Sequence, residues 1–269
     1  MGSYTAPETK TVRGVTLRRD PAREECFRVV HLHNEMENLN DMSDTSRRQR
    51  IHQHMHNEMQ SLEIAAQCIV DFPDTDWDLR MDLARQCWDE TRHTQMLYNR
   101  LRELGGRKGE FAVMNYEWGI TCMMDSLAAR LALQNRTFES GEMDLLRELV
   151  ETWRKAGDDE TADVLDGILV DEISHVRFAN QWLKRLAREQ PRTLLKVAQA
   201  VRALQGITAA LAPQEGEVNA MGVPLTGYVR ADVFANVEDR RHAEFTEEEI
   251  AEILRQEGFS GLVAEAARA

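Results

Sequence analysis

The chain has 269 residues, of which 42% are hydrophobic and 6% aromatic, and this composition suits a globular protein with a substantial core. Its formal net charge of −13 repels phosphate backbones and disfavours a nucleic-acid partner. No apolar run approaches the roughly 20 residues that span a bilayer, and the polar start lacks the apolar core of a secretory signal, so we expect a cytoplasmic protein without a membrane segment.

Helical periodicity dominates the chain, and strand signals are almost absent. Residues 1–22 are expected to form a loose arm, and 214–245 an irregular segment. The long predicted helices cover about 47–71, 76–104, 112–138 with a continuation to 155 after a break at Ser140-Gly141, 159–189, and 191–213. Shorter helices are predicted over about 23–40 and after Thr246, where Thr-Glu-Glu-Glu resembles a capping box.

These elements divide the chain into an N-terminal arm and helix (1–45), a helical bundle (46–190), and C-terminal helices with an irregular tail (191–269). Long helices with short connections predict an all-α antiparallel four-helix bundle with additional N- and C-terminal helices. No repeat of about 30–50 residues supports a solenoid. The cysteines are scattered without a C-x-x-C pair, which favours reduced thiols and excludes a zinc ribbon.

Two distant segments, DETRH and DEISH, share the pattern Asp-Glu-x-x-His. On a helix, positions i and i+3 share a face, so the glutamate and histidine of each motif can bind the same ion. Both motifs lie on apolar stripes, where a carboxylate is costly unless a cation neutralises it. One such motif is weak evidence because helices are rich in glutamate, but two core-facing copies indicate metal ligands. These residues are Glu90, His93, Glu172 and His175.

Two similar stretches near the start, HLHNEM and HMHNEM, each offer a further glutamate, Glu35 or Glu58. Di-metal bundles combine two Glu-x-x-His motifs with one glutamate from each of the other helices. Glu58 and Glu90 lie equally far from the predicted turn at 73–75, so an antiparallel hairpin places them at the same level. Glu35 lies beyond a breaker-rich segment, and the sequence therefore predicts Glu58 as the ligand.

The second half of the chain repeats this spacing. Glu139 and Glu172 lie equally far from the predicted turn at 155–157. Glu139 is near a predicted helix end, and Glu142 is its nearest competitor. The chain thus contains two similar helical hairpins, each with one glutamate followed by a Glu-x-x-His motif.

Three neighbouring residues are candidate hydrogen-bonding partners of the ligands. Asp89 and Asp171 each precede a motif glutamate and can accept the free imidazole N–H of a ligand histidine. An exposed acidic side chain on a helix surface is an equally good reading of either. His54 lies one turn before Glu58. It is either a seventh ligand, a hydrogen-bonding group of the pocket, or a partly buried histidine that binds no metal.

At these residues the chain resembles the ferritin-like di-metal carboxylate superfamily and, more narrowly, the bacterial family catalogued as domain of unknown function 455. The resembling segments are HNEMQSLEIAAQ, DETRH, LALQNRTFESG and KAGDDETADVLDGILVDEISHV, which cover about 56–190 and, less clearly, the tail around 225–258. The resemblance implies a ferritin-like bundle and supports Glu139 as a ligand. The implied metal ligands are Glu58, Glu90, His93, Glu139, Glu172 and His175.

Four carboxylates and two imidazoles form a hard ligand set that suits two metal ions, iron or else manganese. We expect an oxygen-activating oxidase or oxygenase that uses dioxygen to oxidise a small organic or peptide substrate. An electron donor and a homodimer are compatible with this function. The alternative is a non-catalytic metal-binding protein for metal storage, sensing or oxidative-stress protection, and a third reading is a scaffold with a vestigial site.

Overall fold

The computed structural model describes residues 6–39, 41–225 and 235–256. These residues are mostly helical, which confirms the predicted all-α class, although four short strands are present among them. The strands are β1 (Thr9–Val12), β2 (Val15–Arg18), β3 (Val29–Val30) and β4 (Val113–Met114). The helices are α1 (Asp44–Asp71), α2 (Trp77–Glu103), α3 (Tyr116–Thr121), α4 (Leu127–Leu133), α5 (Ser140–Lys155), α6 (Asp159–Glu189), α7 (Thr193–Leu211), α8 (Val237–His242) and α9 (Glu247–Gln256).

The chain forms two compact units, which we describe separately. The described residues of Met1–Gln134 and Arg192–Val229 form the first unit, and those of Asn135–Pro191 and Arg230–Ala269 form the second. The first unit contains α1 to α4, α7 and all four strands. The second contains α5, α6, α8 and α9.

Helices α1 and α2 form an antiparallel hairpin that agrees with the predicted helices at 47–71 and 76–104. The side chain of Ser43 caps α1, and that of Asp76 caps α2. Helix α2 ends where Gly105 takes φ +81° and the N–H of Gly106 donates to the carbonyl of Leu101 at 2.8 Å. This is a glycine-terminated helix end, in which a left-handed residue turns the chain back over the last carbonyls.

The N-terminal predictions were wrong. The expected loose arm contains the antiparallel hairpin β1–β2, whose two-residue turn Arg13-Gly14 has positive φ at both positions. Such a turn matches the right-handed twist of paired strands. The residues on either side of it, several of them β-branched, therefore pair as an antiparallel ladder. The segment 23–40, where a helix was expected, contains the extended strand β3, which pairs in parallel with β4. The helical structure described in this segment is a 3₁₀ turn at His33–Glu35. This pairing joins segments about 80 residues apart and has no local signature.

The predicted third helix is interrupted at a different place than expected. Its first part is α3, and a new helix, α4, starts after Ser126, whose side chain accepts from the N–H of Ala129. The expected break at Ser140-Gly141 does not occur. A π-helix at Gln134–Glu139 instead leads without a gap into α5, and Gly141 lies within that helix.

The second unit is built on the hairpin of α5 and α6, and α6 agrees with the predicted helix at 159–189. The turn again uses a left-handed glycine, Gly157 at φ +77°, with the N–H of Asp158 donating to the carbonyl of Trp153. The Asp158 side chain then caps α6 at the N–H of Thr161. One residue thus closes α5 and starts α6, which fixes the register of the hairpin.

Helix α7 agrees with the predicted helix at 191–213. The predicted capping box of the last helix is also present, because Thr246 and Glu249 exchange hydrogen bonds between side chain and backbone in both directions. The segment expected to be irregular contains the short helix α8, and its residues 226–234 lie outside the described part of the chain. Within the described ranges, no helix has the combined length and apolarity that crossing a membrane requires.

A buried ion pair fastens α8 to α5 and generates a stability prediction. Arg240 Nη2 lies 2.5 Å from Asp144 Oδ2, and both side chains are at most 3% exposed. The Asp144→Ala substitution would leave the guanidinium buried without its counter-ion, so we expect a loss of about 3–5 kcal/mol in the free energy of unfolding. Urea unfolding followed by circular dichroism measures the loss. The control is Asp163→Ala, at the exposed Arg154 pair, where we expect a change below about 0.5 kcal/mol. Equal losses in the two variants would contradict a special role for the buried pair.

Candidate metal centre

The first unit brings three predicted ligands together in its core. Glu58 projects from α1, and Glu90 and His93 project from α2, one helical turn apart. All three are at most 2% exposed. His93 Nδ1 lies 3.1 Å from Glu58 Oε2 and 3.2 Å from Glu90 Oε2. Glu58 and Glu90 therefore lie at the same height along the two antiparallel helices, as their equal distances from the turn predicted.

The donor chemistry of this triplet fits a cation. A single Nδ1–H points along one direction and cannot satisfy two carboxylates equally well. Two buried carboxylates are costly unless a positive charge compensates them. Neighbouring donors on a small divalent ion lie about 3 Å apart when bonds of about 2.1 Å meet at right angles, which matches the separations here. The triplet can therefore hold a metal ion.

His54 adds a fourth polar group beside Glu58. Its Nε2 lies 2.8 Å from Glu58 Oε1, and the two residues are one turn apart on α1. Burial raises the pKa of Glu58, but contacts with the imidazoles of His54 and His93 outweigh burial and hold that pKa well below its usual value. Glu58 is thus held as a carboxylate, the protonation state that a metal ligand requires.

The second unit contains an equivalent triplet. Glu139 at the end of the π-helix, with Glu172 and His175 on α6, places three ligand atoms within 4.8 Å of one another. His175 Nδ1 lies 3.3 Å from Glu172 Oε2, and all three residues are at most 2% exposed. Of the two alternatives that the sequence left open, Glu139 belongs to this triplet, and Glu142 is half-buried on α5.

Sequence reasoning missed two residues that hold the ligands in place. Gln86 Nε2 donates to Glu90 Oε1 at 3.3 Å, and Asn135 Nδ2 donates to Glu139 Oε2 at 2.8 Å. Each lies four residues before its glutamate, as His54 does before Glu58. The signal was present, because positions i and i+4 are neighbours on a helix. These contacts fix the orientation of the two carboxylates.

The two predicted aspartates differ in their surroundings. Asp89 is 3% exposed and accepts hydrogen bonds from Arg85 Nε and Arg92 Nη2, both at 2.7 Å. It is therefore not the exposed surface carboxylate that was its alternative reading. Asp171 is half-buried on α6.

The other histidine-rich stretch has a local structural role. Glu35 is exposed, and its Oε2 accepts the backbone N–H groups of His31 and Leu32 at 3.1 and 2.9 Å. It thus caps its own turn.

His52 and His56 on α1 are buried, and burial is the main cause that lowers their pKa values to about 4 and about 3. The imidazole rings of these two residues are accordingly neutral at pH 7.

Searches of curated proteins and of solved structures give no match. A family model described as "Protein of unknown function (DUF455)" matches residues 4–251. This match extends beyond the segments on which the sequence resemblance rested, and it includes the N-terminal arm and the first histidine-rich stretch. Because it spans nearly the whole chain, the protein belongs to the DUF455 family.

Proposed function

We propose that the protein is a ferritin-like di-metal carboxylate protein, in which the two ligand triplets bind two divalent ions. The observation that carries the proposal is the pair of buried carboxylates, Glu58 and Glu90, set against the single imidazole nitrogen of His93. The second unit repeats this donor set. Four carboxylates balance the charge of two divalent ions. The charge would also balance if each triplet held one ion by itself, with two carboxylates for each ion. Metal content of variants in each triplet distinguishes these two arrangements.

Iron is the preferred metal, and manganese is the alternative. Carboxylate oxygens with imidazole nitrogens form a hard, mixed ligand set, whereas copper(I) prefers sulfur. The candidate metal groups among the described residues contain no cysteine, so sulfur does not enter this donor set. A bound iron pair would supply the two electrons that reduction of dioxygen to the peroxide level requires.

The reaction that this centre supports best is oxidation of a small organic or peptide substrate by dioxygen, as an oxidase or oxygenase with an external electron donor. Four anionic ligands favour the higher charge of ferric iron and so make the ferrous form reducing. The residues around the ligands contribute orientation, because Gln86, Asn135 and His54 hold three of the four carboxylates in place. The apolar core excludes water from the site.

The first prediction tests shared metal binding by the two triplets. Glu90→Ala in the first unit and Glu172→Ala in the second should each remove most of the bound iron, because each takes an anionic ligand from a common site. Elemental analysis of the purified, iron-reconstituted protein measures the metal equivalents. Glu151→Ala, an exposed position on α5, is the control. Two full equivalents in either variant would refute the assignment, and loss of one equivalent per variant would indicate two independent sites.

The second prediction separates the two histidine-rich stretches. Glu58→Ala should lose metal because Glu58 is buried against His93, whereas Glu35→Ala should keep it because Glu35 caps its own turn at the surface. The same elemental analysis reads both variants, and circular dichroism checks that they are folded. Metal lost from the Glu35 variant and retained by the Glu58 variant would reverse the assignment.

The third prediction concerns reaction with oxygen. The anaerobic ferrous protein should consume dioxygen and develop near-ultraviolet or visible absorption on mixing, and His93→Ala should slow this by at least about tenfold by opening the site to water. An oxygen electrode and stopped-flow absorption measure the two signals. If the ferrous protein stays colourless and consumes no oxygen, even with an added reductant, the oxidative function fails and a manganese or storage role takes its place.

A further inference from the structure

Helix α2 carries a second apolar stripe, on its exposed side. Trp77 and Trp88 are 69% and 61% exposed, and Met81 between them is 42% exposed. The other three tryptophans of the chain are at most 8% exposed, so exposure of this large side chain is particular to α2. Large apolar side chains that lie together on a surface mark an interaction site, whereas scattered ones do not.

The spacing of the stripe is that of a helix–helix contact. With the exposed Ala84, its residues are separated by four, three and four positions, as are the contact positions of a coiled coil. At about 100° per residue, the stripe lies roughly 180° around the helix from Glu90 and His93. A helix with apolar residues on both sides is typically packed on both sides. The outer stripe consists of Trp77, Met81, Ala84 and Trp88.

The outer stripe is complementary in size to a second copy of itself. When two such helices run antiparallel about a two-fold axis between positions 82 and 83, each Trp77 faces the Trp88 of the other copy. Each Met81 then faces the small Ala84 of the other copy, so the helices can approach closely at the centre. The two ends are closed by pairs of tryptophans, and aromatic pairs contribute beyond the area that they bury.

The charges beside the outer stripe favour the antiparallel arrangement over a parallel one. In the antiparallel arrangement, Asp78 of each copy lies beside Arg85 of the other, which gives two attractive pairs. The Arg85 side chain contacts Asp89 through Nε and is 67% exposed, so a second carboxylate can approach it. A parallel arrangement would instead place Arg80 beside the other copy's Arg85, and these two cations would repel each other.

We propose that the outer stripe is the contact between two copies of this chain, which form an antiparallel two-fold dimer along α2. Trp77 and Trp88 together expose roughly 300 Å² per chain, since an aromatic side chain presents about 150–250 Å². A specific interface needs about 600 Å² per partner, so the tryptophans supply half and the other stripe and flanking residues supply the rest. The dimer is therefore weak. It goes beyond the proposed metal function and uses no metal ligand.

Sedimentation velocity of the purified full-length chain, from about 1 to 200 µM, measures this association. We expect a monomer–dimer equilibrium with a dissociation constant of about 1–50 µM. Trp77→Glu should weaken it at least about hundredfold, because a carboxylate would be buried against the other copy's Trp88. Glutamate suits the first turn of a helix, so the variant should fold and keep its metal content.

The matched control is Leu195→Glu, which removes another exposed apolar side chain, on α7, 64% exposed and outside the stripe. It should dimerise as the unmodified chain does. A monomer throughout the concentration range for the unmodified chain would overturn the inference. Unaltered association of the folded Trp77 variant would also overturn it, as would loss of the dimer in the control alone.

A charge exchange tests the orientation of the two helices. Asp78→Arg and Arg85→Glu should each weaken the dimer at least about tenfold, because both attractive pairs become repulsive. Mixed in equal amounts, the two variants should associate as tightly as the unmodified chain, because every pair in the mixed dimer again joins opposite charges. Circular dichroism checks folding, since Arg85→Glu also loses the contact with Asp89. If the mixture of folded variants stays monomeric, the antiparallel arrangement is refuted.

Discussion

The cost of burying carboxylates without a cation is the constraint on which the rest of this structure depends. Glu58 and Glu90 are almost wholly inaccessible, and each lies within about 3.2 Å of the same imidazole nitrogen. Ordinary cores avoid such an arrangement, because each buried charge costs several kcal/mol unless it is compensated. The fold maintains it through a hairpin whose ends are closed by capping residues and a left-handed glycine. The second hairpin meets the same demand with Glu139, Glu172 and His175.

Most of the buried residues of helix α1 are polar, which is unusual for a helix in a protein core. Eight of its thirteen buried residues are polar, and five are apolar or cysteine. In a helix with that ratio, hydrogen bonds and ion pairs must offset the desolvation of the polar groups. They do so on two faces, at Glu58 with its imidazoles and at His56 with Arg23. The structure of this core helix therefore depends on its buried polar contacts as well as on the apolar area that it covers.

The sequence predicted the long helices and the core positions of the two Glu-x-x-His pairs well, because both depend on local signals. Gly105 and Gly157 end helices through conformations that other residues rarely adopt. Equal distances from the hairpin turns at 73–75 and 155–157 place the glutamates at the same level. The prediction for the N-terminal region was wrong because its structure depends on non-local contacts. The β3–β4 pairing depends on residues far apart in the chain, and it overrode the weak helical pattern around Val29.

The π-helix was also beyond sequence reasoning, and it connects the C-terminal segment to the second triplet. An extra residue per turn is uncommon and persists where the surrounding structure supports it. Arg136 within the π-helix bonds to Asn180 on α6 and to Glu249 on α9, and its guanidinium lies 4.6 Å from the centre of the Phe245 ring. These contacts hold the π-helix from outside, while Asn135 holds the Glu139 carboxylate from within. The C-terminal helices therefore act on the candidate metal centre at a distance, by fixing the backbone that presents its least predictable ligand.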